Sequence, residues 1–422
     1  MKDFKPNRRE FLKGTGALAA AAAGTSVLAP AVWSAETIKI GFVTPQSGAI
    51  SVFAEPDKFA LDQAMKATGG QISVDGRSYA IEFVVKDSQS NSSRAAEVAN
   101  ELINKDQVNL LLATATPETT NPVASAAELA EVPCLTNDTP WQPHFFGRGG
   151  DPKKGFNWTY HFFWGLEDLI AVSHGIWGLK PTNKVVGALW PNDADGNAFG
   201  DAKLGFPGAG KFTYVDTGRF DLGAESFASQ ITAFKAGGAE IITGVLPPPV
   251  FANFWSQAAQ QDFRPKIAMM PKALEFPQAV GALGDRGEGL TVEVWWSPYH
   301  PFSSGLTKQT SKELADEYEK ATGRPWTMPL AFKHSLFEVA INALRTSKNP
   351  LDAASVRDAL KATDYNSIVG NINFSKGPVP NIAKTPLVGG QWFKGAKGPE
   401  LGIVENAELK DCPINHELTL LG

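Results

Sequence analysis

The sequence predicts an α/β protein with two doubly wound lobes. Short apolar runs of strand length alternate with stretches of helical spacing from residue 37 to residue 270. Polar turns follow the predicted strands, as at residues 44–48 and 87–91. A polar break at 151–157 divides this alternation into two series. Each series is long enough for a parallel sheet with helices on both faces.

The first series forms the first predicted sheet. It contains strands at 37–43, 79–86, 109–113 and 132–135 and helices at 57–68, 93–105 and 122–130. Residues 114–120 are rich in hydroxyl groups and are predicted as a loop. Because strands joined by helices run parallel, the loops after 109–113 and 132–135 should meet at one edge of the sheet. Ligands bind at that edge in such folds.

The second series repeats the pattern. It contains strands at 184–190, 212–215, 240–246 and 266–270 and helices at 167–179, 224–236 and 251–261. An extended segment at 290–296, helices at 311–322, 329–346 and 354–362, and a strand at 368–374 follow. The late helices need a sheet to cover, and the first lobe is the natural host. The chain should therefore cross between the lobes more than once.

The N-terminus predicts export. Arg8 and Arg9 precede Phe-Leu-Lys and an alanine-rich apolar stretch, which is typical of a twin-arginine signal, so residues 1–35 are predicted to be a targeting segment. The 422-residue chain has a formal net charge of −5, and nothing in this charge balance suggests a nucleic-acid partner. Cys134 and Cys412 either pair in an oxidising compartment or remain two buried thiols.

Several segments together resemble a known family. They are residues 38–48, the turn at 86–91, residues 126–133, residues 227–237 and Gly287-Glu-Gly289. On these segments the chain resembles the periplasmic binding proteins of ABC importers, of the leucine/isoleucine/valine-binding kind, over about residues 36 to 375. The resemblance implies the type I fold, two Rossmann-like lobes joined by three crossovers near 158–165, 292–297 and 368–374. The N-terminal lobe would hold 36–160 and 295–368, and the C-terminal lobe 161–294 and 369–422.

The resemblance also implies a function without catalysis. A small solute would bind in the cleft between the lobes, and the protein, expected to be a monomer in the periplasm, would deliver it to the membrane subunits of an ABC permease. The solute would be an amino acid or a related small amine or aromatic acid. No cofactor and no metal are expected, and the sequence has neither a zinc-ligand histidine spacing nor a Gly-x-Ser-x-Gly elbow. The alternative is a periplasmic sensor of the same fold that reports to a signalling partner.

Ten residues are predicted to contact the ligand, because the family site falls on them or because they follow a strand or lie at a crossover: Phe53, Thr116, Thr119, Asp138, Thr139, Trp141, Trp164, Asp193, Phe199 and Lys272. Phe53 and Phe199 would cover apolar parts of the ligand, although Phe53 also suits the core. Thr116 or Thr119 would replace the hydroxyls that hold an amino-acid carboxylate in the family. Pro117 stands at the family's serine position, which is a departure.

The loop at 137–141 departs further from the family pattern. An ionised Asp138 would repel a ligand carboxylate and favour a cationic group, with Trp141 offering a ring face. The alternative for Asp138 is a helix-cap or turn residue that faces solvent. Trp164 either lines the cleft or packs at a hinge. Asp193 lies in a turn that faintly resembles a calcium loop but lacks the later glutamate.

Lys272 stands where the amino-acid binders often carry an acid for the ligand ammonium group. Asp138 and Lys272 therefore either bind a ligand of inverted charge or neutralise each other across the cleft. These departures make the branched-chain amino acids a poor match, and the sequence does not name the solute.

A substitution tests the role of Asp138. We expect Asp138→Asn to weaken a cationic ligand by more than about 1 kcal/mol, because a charged hydrogen-bond acceptor is lost. Titration calorimetry on the two proteins measures the difference. Equal affinities would show that Asp138 does not contact the ligand.

Overall fold

The computed structural model describes residues 36–396 and 398–422, so the predicted signal at 1–35 lies outside the described residues. The described strands are β1 (Glu36–Thr44), β2 (Gln71–Val74), β3 (Arg77–Asp87), β4 (Leu110–Ala113), β5 (Cys134–Thr136), β6 (Thr159–Phe162), β7 (Val185–Leu189), β8 (Thr213–Asp216), β9 (Ile241–Gly244), β10 (Ile267–Met269), β11 (Thr291–Val294), β12 (Asp364–Ser367), β13 (Gly370–Asn373), β14 (Ile382–Ala383), β15 (Val388–Gly395) and β16 (Gly398–Glu405).

Helices connect most of these strands. The described α-helices are α1 (Asp57–Thr68), α2 (Ser92–Glu101), α3 (Thr116–Leu129), α4 (Trp141–Phe145), α5 (Leu166–Gly178), α6 (Ala194–Phe199), α7 (Ala228–Ala236), α8 (Pro248–Gln260), α9 (Pro277–Ala282), α10 (Ser311–Thr322), α11 (Met328–Thr346) and α12 (Ala353–Lys361). Among the described residues, none of the helices has the length and apolar character that crossing a bilayer requires.

Two seven-stranded sheets confirm the predicted α/β class. The first has the order β14-β6-β5-β4-β1-β3-β2, and its strands are parallel except where β2 meets β3. The second has the order β16-β15-β11-β10-β9-β7-β8, with a parallel block from β11 to β8. The hairpin β15–β16 extends it in antiparallel fashion. The central parallel strands β4, β9 and β11 are completely buried, as expected when helices cover both faces of a sheet.

The helix α3 begins earlier than its sequence predicts. The hydroxyl-rich segment 114–120 was predicted as a loop, but α3 already begins at Thr116. Pro117 fits this start because its fixed φ and missing N–H suit the first helical positions. As a result, Thr116 and Glu118 lie in the first turn of a helix that follows β4.

The third crossing between the sheets lies elsewhere than predicted. The segment 368–374 does not cross, because β13 pairs with β12 as a hairpin and the N–H of Ile368 donates to Glu338 of α11 at 2.8 Å. The next strand, β14, pairs with β6 in the first sheet. After β14 the chain crosses back to the second sheet, through residues 384–387, and continues there as β15. The predicted assignment of 369–383 to the C-terminal lobe is therefore wrong.

The two cysteines are separate buried thiols. Cys134 lies in β5 and Cys412 lies near the C-terminus, and both are free. Burial raises the pKa of each thiol to about 12. A buried, protonated thiol reacts slowly because the thiolate is the nucleophile.

This arrangement predicts the outcome of a thiol titration. Ellman's reagent should find almost no fast-reacting thiol in the folded protein. It should find both cysteines after unfolding in guanidinium without reductant, because unfolding exposes them. A disulfide would be indicated if no thiol reacted in the unfolded, unreduced sample.

Candidate ligand-binding site

A small cavity of about 30 Å³ lies where loops of the two sheets meet. It is smaller than the sites that hold drug-sized ligands. The lining residues are Phe53, Thr116, Asp138, Pro140, Phe163, Trp164, Asp195, Phe199, Val245, Pro271, Lys272, Glu275, Glu293 and Trp295. They come from both sheets, so the cavity is shared by the two halves of the molecule.

Parallel strands explain why these residues converge. Thr116 follows β4, Asp138 follows β5 and Trp164 follows β6 in the first sheet. In the second sheet, Val245 directly follows β9 and Lys272 follows β10. Most lining residues therefore stand beyond the carboxyl ends of strands, where open α/β sheets bind ligands.

Aromatic rings form one part of the wall. Phe53 packs edge-on against Phe276, with 4.8 Å between ring centroids, and lies 6.2 Å from the ring of Trp295. Phe163 contacts Trp164 at 4.7 Å and Trp295 at 5.0 Å. Phe53 belongs to the first lobe and Phe276 to the second, so this contact also joins the lobes. The rings offer apolar area and ring faces to a bound solute.

Lys272 is held by two carboxylates. Its Nζ lies 3.1 Å from Asp195 Oδ2 and 3.6 Å from Glu118 Oε2, and all three side chains are largely or fully buried. Burial acts to lower the pKa of Lys272, but Glu118 and Asp195 raise it above its ordinary value. Burial also raises the pKa of Asp195, to about 7. Glu118 comes from α3 of the first lobe, so its contact with Lys272 is an ion pair across the cleft.

A second buried lysine partners Asp138. Lys333 of α11 forms a short ion pair with Asp138 Oδ2, and both side chains are fully buried. The hydroxyl of Thr114 donates to the same oxygen at 2.8 Å. Asp138 Oδ1 has no hydrogen-bond partner within residues 36–396 and 398–422. Of the two carboxylate oxygens, Oδ1 is therefore the one that can still accept a hydrogen bond.

Two further acids line the cavity without a lysine. Glu275 and Glu293 are both buried, and neither Glu293 oxygen has a hydrogen-bond partner in the part of the chain that the structure describes. Burial raises the pKa of Glu293 to about 7. Burial and the neighbouring Glu293 raise the pKa of Glu275 well above its ordinary value.

Strained backbone conformations occur at the site. Ala115, Thr116, Asp138 and Lys272 have φ values of 65°, 62°, 58° and 70°. Such left-handed conformations are uncommon for residues other than glycine and persist only where the surrounding structure fixes them. Here they turn the chain sharply after β4, β5 and β10 and direct it along the cavity.

Six of the ten residues predicted from the sequence line the cavity: Phe53, Thr116, Asp138, Trp164, Phe199 and Lys272. The other four do not. Thr119 hydrogen-bonds Ser88 at 3.1 Å, and Thr139 hydrogen-bonds Thr120 at 3.1 Å. Trp141 donates to Glu167 at 3.2 Å, and Asp193 caps α6 by accepting from the N–H of Gly196 at 2.7 Å. These hydrogen bonds engage all of the named polar groups in local structure except Oδ2 of Asp193, which is buried without a partner among the described residues.

The alternative that Asp138 and Lys272 neutralise each other is wrong. Each has a partner within its own half of the molecule, Lys333 for Asp138 and Asp195 for Lys272. Lys333 was not predicted from the sequence, although a lysine inside the long apolar run of α11 is a signal of a buried partner. Glu293, an acid within a short apolar strand, is a comparable signal and was not predicted either.

The comparisons with known proteins agree with this architecture. Residues 37–396 match the model of a family described as periplasmic binding protein. The chain belongs to the periplasmic binding protein family. Residues 5–25 match the twin-arginine translocation signal sequence, so the protein is exported to the periplasm. This family binds small solutes and works with ABC transporters, and it is not a class of enzymes.

Solved structures share the type I fold of this family. One is the branched-chain amino acid transporter substrate-binding protein LivJ of Streptococcus pneumoniae, solved in complex with isoleucine. Its sequence is 18% identical to this chain, and its TM-score is 0.70. The match covers 88% of this chain and 100% of that one. Another is an ABC-transporter solute-binding protein of Rhodopseudomonas palustris in complex with 3,4-dihydroxybenzoic acid, 20% identical over 91% of this chain and 98% of that one, with a TM-score of 0.70.

The buried ion pair leads to a stability prediction. Lys333→Met should lower the free energy of unfolding by about 3 to 5 kcal/mol, because it leaves Asp138 buried without its cation. The double variant Asp138→Asn/Lys333→Met should recover most of this loss, since no buried charge remains. Urea unfolding followed by fluorescence measures the three proteins. The prediction would be contradicted if the free energy of unfolding of Lys333→Met lay within about 1 kcal/mol of the wild-type value.

Proposed function

We propose that this protein is the solute-binding subunit of an ABC importer and delivers a small organic solute to the membrane permease. The observation that carries the proposal is the cavity itself, which both lobes line beyond the carboxyl ends of their strands. A solute that contacts both lobes stabilises their closed arrangement. The closed lobes present a different surface from open lobes, so a permease can distinguish the loaded protein from the empty one. Monomeric action and the particular permease belong to the proposal.

The charges of the cavity favour a solute that carries an amine. Lys272 and Lys333 already have carboxylate partners, whereas Glu275 and Glu293 have no lysine. An incoming carboxylate would therefore meet acids without a free cation. An amine would meet carboxyl oxygens without partners. An amino acid or a small amine fits this arrangement better than an aromatic acid does.

The aromatic wall supports a solute with an apolar or ring-shaped part. The solved relatives were found with isoleucine and with 3,4-dihydroxybenzoic acid. The rings of Phe53, Phe199 and Trp295 suit either side chain, so the ring faces alone do not separate these two classes. The charge distribution does, and it favours the solute that carries a nitrogen cation.

A thermal-shift panel tests the proposal. The mature protein should gain stability with at least one of choline, putrescine, isoleucine and 4-hydroxybenzoate, because a ligand that binds the folded state raises its stability by mass action. We expect the shift with a compound that bears an amine or ammonium group. A matched panel on Phe199→Ala controls for binding outside the cavity, since this variant removes a lining ring.

The outcome of that panel decides between the possibilities. A shift that disappears in Phe199→Ala supports solute binding in the cavity. No shift with any compound, at concentrations up to about 10 mM, would contradict the proposed function for these solute classes.

A further inference from the structure

Among the residues that the structure describes, Glu275 and Glu293 have no cationic partner, unlike Asp138 and Asp195 of the same cavity. Glu293 lies in β11, and Glu275 lies in the segment after the neighbouring strand β10. Both side chains line the cavity and are at least 97% buried. Glu275 Oε1 accepts the backbone N–H of Lys272 at 2.9 Å, while its Oε2 has no partner. Burial without a partner is costly for a carboxyl group, so a proton or a cation must satisfy this pair.

The cations nearest to the pair are already engaged. Lys272 Nζ is paired with Asp195 and Glu118. Only the backbone of Lys272 therefore contributes a hydrogen bond to Glu275.

The remaining charged group that faces the pair from the first lobe is Asp138, whose Oδ2 is paired with Lys333. The charge of Asp138 further raises the pKa of Glu275. Burial raises the pKa of both carboxyl groups, and ionising both would place like charges in the same apolar surroundings, so the pair retains a proton.

An indole N–H group gives an independent indication of a ligand. Among the described residues, Nε1 of Trp164 has no hydrogen-bond acceptor, although its side chain lines the cavity and is almost fully buried. Buried tryptophan N–H groups usually find an acceptor. A solute that carries an acceptor beside its nitrogen cation would satisfy this group.

We propose that Glu275 and Glu293 form the subsite for a nitrogen cation of the solute and that they release a proton to solvent when the solute binds. The nitrogen keeps its own positive charge, so that charge enters the cavity as the charge of the released proton leaves it. This inference rests on the proposed function, since it names the solute class and the proton linkage of the same cavity.

Calorimetry in paired buffers tests the proton release. The solute is whichever of choline, putrescine and isoleucine binds, with 4-hydroxybenzoate as the anionic comparison. Titrations at about pH 6.5 in two buffers of different ionisation enthalpy should show release of roughly 0.3 to 1 proton per bound solute. As the pH rises towards the pKa of the pair, the affinity for the solute should increase by up to about tenfold per pH unit, because protons compete with the cation. Above that pKa the affinity should become constant.

Two variants separate the carboxyl pair from buried acids in general. Glu293→Gln preserves the shape of the side chain and should weaken the cationic solute at least about tenfold while abolishing proton release. Glu338→Gln is the matched control, because Glu338 is fully buried in α11 outside the cavity and burial raises its pKa to about 7. It should leave both affinity and proton release unchanged. Melting curves of both variants verify folding.

The possible outcomes distinguish the inference from the proposed function. Binding of a cationic solute without proton release, or with unchanged affinity in Glu293→Gln, overturns the inference and leaves the proposed function intact. Binding of 4-hydroxybenzoate alone has the same consequence. If no compound binds, both are overturned.

Discussion

The pairing of buried charges at the carboxyl ends of two sheets is the constraint on which the rest of the cleft depends. A buried carboxylate is costly unless a cation or hydrogen-bond donors compensate it. Lys333 compensates Asp138, and Lys272 compensates Asp195 and Glu118. These pairs fix the loops after β5 and β10, whose backbones adopt left-handed conformations at Asp138 and Lys272. The shape of the cavity follows from those loops.

The two cavity acids without a lysine partner differ in role from the paired acids. Paired acids hold the protein together, whereas Glu275 and Glu293 have free oxygens that face the cavity. The aromatic wall limits the access of water and provides area for the apolar part of a solute. Sites that combine rings with a few polar groups of fixed position are typical of small-molecule binding.

The sequence predicted the alternation of strands and helices because hydrophobic periodicity is local. The third crossing was placed wrongly, since a two-residue strand such as β14 has no periodicity and β12–β13 is held by the remote Glu338. Asp138 and Lys272 were predicted correctly as lining residues because each follows a strand closely in the sequence. Lys333 was missed because it approaches from α11, nearly two hundred positions away in the chain. Thr139 and Trp141 follow a strand as well, but their side chains point into local hydrogen bonds and packing.

The distribution of ion pairs has a consequence for hinge motion. Asp138 and Lys333 both belong to the first half, and Lys272 and Asp195 both belong to the second. A separation of the halves would break the contact of Lys272 with Glu118, but each lysine would keep a counter-ion from its own half. Glu118, at the start of α3, would then be able to face water. Such a movement would leave neither lysine without a counter-ion, and under the proposed function the bound solute would shift the equilibrium between the two arrangements.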